Sequence, residues 1–158
     1  MMWKIRVGDE APDVTLISSS GKKVTLKDYI GRKNIVFYFY PKDNTPGCTK
    51  EACAFRDNYE VFKEMGAEVI GVSSDSLETH QEFVKKHNLP FILLSDEEKK
   101  IRKRFSVPFT LGLIAGRVTY IIDKKGWIRY ILSSQFKPTK HIVKALDALK
   151  KLEDKQAA

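Results

Sequence analysis

The run Ile35-Val36-Phe37-Tyr38-Phe39-Tyr40-Pro41-Lys42-Asp43-Asn44-Thr45-Pro46-Gly47-Cys48 decides how this chain is read. Its first six residues are continuously apolar and rich in aromatic and β-branched side chains, the pattern of a buried strand. Pro41 ends the strand, because it has no N–H to give to a ladder. Thr45 and Pro46 then mark a helix start. Threonine is a favoured N-cap, and proline at the first helical position gives up only an N–H that has no partner there. Phe55, Tyr59 and Phe62 carry the helical spacing onward. Cys48 is therefore the third residue of a helix, among free backbone N–H groups and directly after a buried strand. Helix starts favour anions, and the thiolate is the reactive form of cysteine, so this position is a candidate site as well as a fold signal.

Working outward, residues 14–17 and 24–26 alternate like two strands around the turn Ser18-Ser19-Ser20-Gly21-Lys22-Lys23, giving an N-terminal hairpin. A short helix is expected over 27–30. The helix that begins at Pro46 is expected to run to about 65 and stop at Gly66. Residues 68–73 read as the next buried strand, 77–87 as an amphipathic helix, 91–94 as a strand and 97–105 as a basic helix. Residues 118–122 and 127–132 read as a hairpin across Asp123-Lys124-Lys125-Gly126, and a last helix is expected over 138–152. This alternation predicts an α/β layer sandwich with a mixed sheet. The apolar connection over 108–116 either packs on its own domain or offers a surface to a partner or substrate.

The chain has 158 residues, which suits one domain spanning 1–158 with the last five or six residues frayed. Its start has no apolar signal-peptide core and no run is long enough to span a membrane, so a cytoplasmic protein is expected. The net charge of +8 is spread through mixed-sign patterns such as Asp96-Glu97-Glu98-Lys99-Lys100 and comes with no recognised binding motif, which argues against nucleic-acid recognition. Two cysteines, Cys48 and Cys53, and three histidines at no ligand-like spacing make a poor zinc site, so no metal or cofactor is expected.

Pro41-x-x-x-Thr45-x-x-Cys48 matches the active-site signature of the peroxiredoxins. The longer run from Phe39 through Cys53 to Phe55-Arg56-Asp57 resembles the bacterioferritin comigratory protein, or peroxiredoxin Q, branch. Gly8-Asp9-x-Ala11-Pro12-Asp13, Gly71-Val72-Ser73-x-Asp75, Leu94-Ser95-Asp96 and Gly116-Arg117-Val118-Thr119 extend the resemblance over nearly the whole chain. It implies a thioredoxin-like three-layer sandwich and reduction of hydrogen peroxide and organic hydroperoxides by Cys48, with neither metal nor haem. It also implies Arg117 beside Cys48, Pro41 shielding the thiolate and recycling by thioredoxin or a similar dithiol. From residues alone, Arg117 would be a surface charge or an ion pair, Thr45 a plain helix cap and Pro41 a strand terminator.

The chemistry can be weighed separately. Making a thiol mostly thiolate near pH 7 takes about 2.7 kcal/mol of preferential anion stabilisation. A partly buried helix start provides up to about 2 kcal/mol, which leaves the remainder to a nearby cation. Donors for the charge that builds on the leaving oxygen are the Cys48 N–H, the Thr45 hydroxyl and Arg117. Oxidised Cys48 would be a sulfenic acid that condenses with a second thiol. Cys53 stands where some members of the branch carry that resolving thiol, and the alternative is a packed core thiol with an external resolver. Residues five apart on a helix have Cα atoms about 8–9 Å apart and point about 140° away from each other, so a 48–53 bond requires the helix to unwind. A disulfide oxidoreductase and a non-catalytic holding module remain as alternatives, the former weakened by the lack of C-x-x-C. A monomer is expected, with a homodimer the alternative.

Overall fold

The computed structural model describes residues 4–110 and 114–157, with backbone only at 109–110, 114–115 and 156–157. Strands β1 (Thr15–Ile17) and β2 (Lys23–Thr25) form the N-terminal hairpin. The central sheet contains β3 (Asn34–Phe39), β4 (Ala67–Ser73), β5 (Ile92–Ser95), β8 (Val118–Ile122) and β9 (Ile128–Ser133), in the order β5-β4-β3-β8-β9. β3 runs parallel to β4, and β4 to β5, while β8 is antiparallel to both β3 and β9. Helices α1 (Pro46–Asp57), α2 (Tyr59–Glu64), α3 (Leu77–His87) and α5 (Lys140–Ala157) and the short α4 (Lys100–Arg104) complete the layers. A small antiparallel pair, β6 (Phe109–Thr110) with β7 (Ile114–Ala115), falls in the apolar connection. Residues 111–113 of that connection lie outside the described residues.

Because side chains alternate along a strand, β3 feeds two separate cores. Val36, Tyr38 and Tyr40 pack with Phe55 of α1, Phe62 of α2, Phe83 of α3 and Ile142, Ala145 and Leu149 of α5. Ile35, Phe37 and Phe39 pack on the other face with Val14, Leu26, Ile101 and Phe105. Helices on one side, a mixed sheet between, and α4 with the N-terminal hairpin on the other make a thioredoxin-like sandwich. Burying this strand on both faces removes every one of its six side chains from water and fixes the point where Pro41 leaves the sheet.

Several boundaries differ from the sequence reading. The helix expected over 46–65 is two helices, because Asn58 bonds its own side-chain Nδ2 to Ala54 O at 2.8 Å and holds a non-helical backbone between them. The basic helix begins only at Lys100, since Lys99 sits in the left-handed region at φ 60°. The element near 27–30 is a single 3-10 turn, Leu26–Asp28. The final helix begins at Lys140 and continues to Ala157. No helix among the described residues is long and apolar enough to cross a membrane.

Candidate active site

At the end of β3, Tyr40 still donates its N–H to Val72 O at 3.1 Å, and a short loop then carries the chain into α1. Asn44 makes the turn at φ 63°, a conformation asparagine tolerates better than most residues. Thr45 is the N-cap residue, with extended backbone, and its carbonyl accepts from Thr49 N at 2.9 Å. Its side chain does not cap the helix, which corrects the sequence reading. Thr45 Oγ1 donates to Lys42 O at 2.9 Å, because the tight loop folds that carbonyl back onto the hydroxyl. Its proton is committed there, so toward the site Thr45 offers lone pairs. Pro41, half-buried, closes the strand side of this loop.

Cys48, 1% exposed, is the third residue of α1. Arg117 reaches it from a position 69 residues away, its Nη2 donating to Sγ at 3.5 Å. The sheet explains the meeting. Phe39 pairs with Val118 across β3 and β8, so Arg117, just before β8, stands level with Tyr40 and the start of the loop. Gly47 leaves the space, since a Cβ there would lie 3.0 Å from Arg117 Nη2.

The same guanidinium is held at two more points. Nη1 donates to Glu51 Oε1 at 2.6 Å and Nε to Gln135 O at 3.2 Å. Burial pulls the Arg117 guanidinium down, and its contacts with Glu51 and Cys48 more than offset that. Glu51 lies one turn after Cys48 and is completely buried. Burial pushes its carboxyl up to about 8, with Arg117 opposing. His141 stands behind it with Nδ1 3.7 Å from Glu51 Oε2. Burial lowers the His141 imidazole to about 4, so it is neutral, with Nε2–H on Ser134 O at 2.9 Å and Nδ1 accepting from the Thr119 hydroxyl at 2.7 Å.

A second buried network holds the loop itself. Asp43 accepts from Tyr40 Oη at 2.5 Å and pairs with His80 Nδ1 of α3 at 2.5 Å, while its N–H donates to Asp75 Oδ2 at 2.8 Å. His80 Nε2 donates to Leu94 O at 3.1 Å. Asp43, Asp75 and His80 bring ligand atoms within 4.8 Å of one another, but those atoms bond within the network, which acts as a tie between loop, sheet and α3. Arg102, buried, donates from Nη2 to Tyr40 O at 3.0 Å.

Cys53, partly buried, is a free thiol on the same α1 as Cys48, also free, and that helix is unbroken between them. The structure thus brings Cys48, Arg117 and the Thr45 loop together and leaves Cys53 on another side of the helix, toward α3. Glu51, His141, Asp43, His80 and Arg102 were not singled out from the sequence. The signal for Glu51 was its place on the helix face shared by Cys48, Ala52 and Phe55. The others depend on contacts between distant segments.

Set against known proteins, residues 7–131 match the AhpC/TSA family, and the chain belongs to that family of thiol-dependent peroxidases. Within it the similarity is to peroxiredoxin Q. The chain is 53% identical over 150 residues to peroxiredoxin Q, chloroplastic, of Oryza sativa subsp. japonica, covering 94% of this chain and 69% of the relative. It is 53% identical over 148 residues to the Arabidopsis thaliana protein of the same name, covering 93% and 68%. A crystal structure of a cysteine-to-serine mutant of Xylella fastidiosa PrxQ superposes with a TM-score of 0.86 at 31% identity, covering 94% of this chain and 98% of that one. These relatives also correct the expected cytoplasmic placement. Curated relatives at about 50% identity are named chloroplastic, which speaks against the cytoplasmic expectation.

Proposed function

We propose that Cys48 is the thiolate that this peroxidase sets against hydrogen peroxide and organic hydroperoxides, and that Cys53 resolves it. One observation carries the reading: a buried sulfur at a helix start with a guanidinium nitrogen at 3.5 Å, itself held by two further bonds. The thiolate attacks one peroxide oxygen, an S–O bond forms, the O–O bond breaks, and the second oxygen leaves as alkoxide or hydroxide that takes a proton. Arg117 and the helix-start N–H groups face the charge that moves from sulfur to the leaving oxygen. Thr45 Oγ1 accepts from the hydroperoxide O–H and orients it, and Pro41 keeps water from the loop side.

The Cys53 thiol then attacks the Cys48 sulfenic acid, forming S–S and releasing water. Since α1 separates the two sulfurs, its first turns unwind in every cycle. Thioredoxin or a similar dithiol returns both thiols, and the chain acts as a monomeric single domain without metal or cofactor. Peroxide consumption with a dithiol tests this. Cys48→Ser abolishes it, whereas Cys53→Ser keeps the first turnover and loses the later ones. A Cys48→Ser protein that still consumes peroxide overturns the reading.

A further inference from the structure

Cys53 does not point into empty space. It faces α3, where Sγ lies 3.8 Å from Nδ1 of His87, the last residue of that helix. His87 is partly buried and its ring stacks edge-on against Phe83 at 5.0 Å between centroids. Its Nε2 is buried without a hydrogen-bond partner among the described residues, and the neutral tautomer that carries its proton there leaves the Nδ1 lone pair facing Cys53. Burial, then Lys86 and Arg56, holds the imidazole below its ordinary value. The ring is therefore neutral and has one nitrogen free to accept.

Arg56 fastens this corner. It lies one turn after Cys53, and its Nη1 donates to the carbonyl of His87 at 2.8 Å, while Nε pairs with Asp57 at 3.0 Å. The Asp57 hydrogen bond, opposed by burial, raises the Arg56 guanidinium above its ordinary value. Cation and thiol lie one turn apart on α1. The C-terminal half of α1 is tied to α3 around Cys53 by the Arg56 bond to the His87 carbonyl. In the unwinding proposed above, that tie would keep Cys53 beside the imidazole while Cys48 moves.

We propose that His87 is the general base for Cys53 in disulfide formation; this rests on Cys53 being the resolving thiol. As Cys53 Sγ attacks the sulfenic sulfur, its proton passes to His87 Nδ1 and the S–S bond forms. The S–O bond breaks, and the departing hydroxide takes a proton from His87, leaving water and a neutral ring. No external oxidant or base is consumed.

Two assays separate this from the reading beneath it. In Cys48→Ser protein, where only Cys53 can react, iodoacetamide alkylation at pH 7 slows at least about tenfold when His87→Gln is added, because no base then takes the thiol proton as sulfur attacks. With both cysteines present, His87→Gln and His87→Ala form the Cys48 sulfenic acid at the parent rate. They then close the disulfide about a hundredfold more slowly, the lower end of general-base effects. Added imidazole restores the rate in His87→Ala, which a merely structural role would not do. Unchanged alkylation and unchanged closure, or slowed closure that imidazole does not restore, overturns the proposal. Failure of the parent protein to form any 48–53 bond would instead remove the resolving role of Cys53, with the alkylation assay still deciding whether His87 activates its thiol.

Discussion

Arg117 Nη1 donates to Glu51 Oε1 at 2.6 Å with both side chains buried, and the other terminal nitrogen of that guanidinium stands against Cys48. Glu51 therefore aims Arg117 and also shares its charge with the Cys48 sulfur. Burial has pushed the Glu51 carboxyl up to about 8, and the neutral acid leaves more of the guanidinium to the sulfur.

Replacing Arg117 should damage both chemistry and fold. Arg117→Met removes a donor to the leaving oxygen, and loss of one such donor costs about 10²–10³ in rate. It also strands Glu51 in the core, where breaking a buried pair costs about 3–5 kcal/mol if the carboxylate stays charged. The stability loss should be larger at pH 8.5 than at pH 6, because Glu51 can escape by protonation. Stopped-flow peroxide kinetics and urea unfolding at the two pH values measure the two effects, and equal losses at both would contradict this account of Glu51.

Glu51 also sets a pH slope. Its folded value lies above the ordinary carboxyl range, so between about pH 4.5 and about 8 the folded chain binds more proton than the unfolded one. Stability from this group is full below the unfolded value and is lost as pH rises through the folded one. Glu51→Gln should flatten the slope between pH 5 and 8. An unchanged slope in urea midpoints would show that Glu51 does not titrate as described.

Gly47 tests positioning without removing a charge. A Cβ at Gly47 would lie 3.0 Å from Arg117 Nη2, and the three bonds on that guanidinium leave it little freedom to yield. Gly47→Ala should cut the peroxide rate severalfold and lower Tm slightly, since the crowding against a fixed guanidinium outweighs the helix preference of alanine in a first turn. A variant with full activity would mean that the guanidinium position is not critical.

The Asp43–His80 pair should govern how firmly the loop is held. Both His80 nitrogens face acceptors, Asp43 Oδ2 and Leu94 O, in a fully buried setting. Asp43→Asn puts an amide NH2 where one of two bonded carboxyl oxygens now sits and should destabilise by about 1–3 kcal/mol. Hydrogen exchange should show faster opening of residues 41–52. A loss below about 1 kcal/mol with unchanged exchange would contradict this role.

What could be read in the sequence was local. The strand 35–40 and the helix start at Pro46 announce themselves because hydrophobic run, cap and proline are neighbours in the chain. Asn58 broke the expected long helix because its side chain competes for Ala54 O, which a periodicity count does not register. Lys50-Glu51 looks like a solvated charge pair, yet Glu51 is completely buried, because its face of α1 turns inward with Cys48 and Phe55. Arg117 was legible only through family resemblance. Its meeting with Cys48 depends on the β3–β8 register, a relation between strands that no local spacing encodes.

The central claim is that Cys48 is the sulfur that cleaves the peroxide bond. Intact mass and peptide mapping after one equivalent of hydrogen peroxide test it most directly. The account predicts loss of two hydrogens and a single bond between Cys48 and Cys53, with sulfenic acid trapped at Cys48 in Cys53→Ser and no change in Cys48→Ser. A reduced Cys48 after the peroxide has been consumed would contradict it.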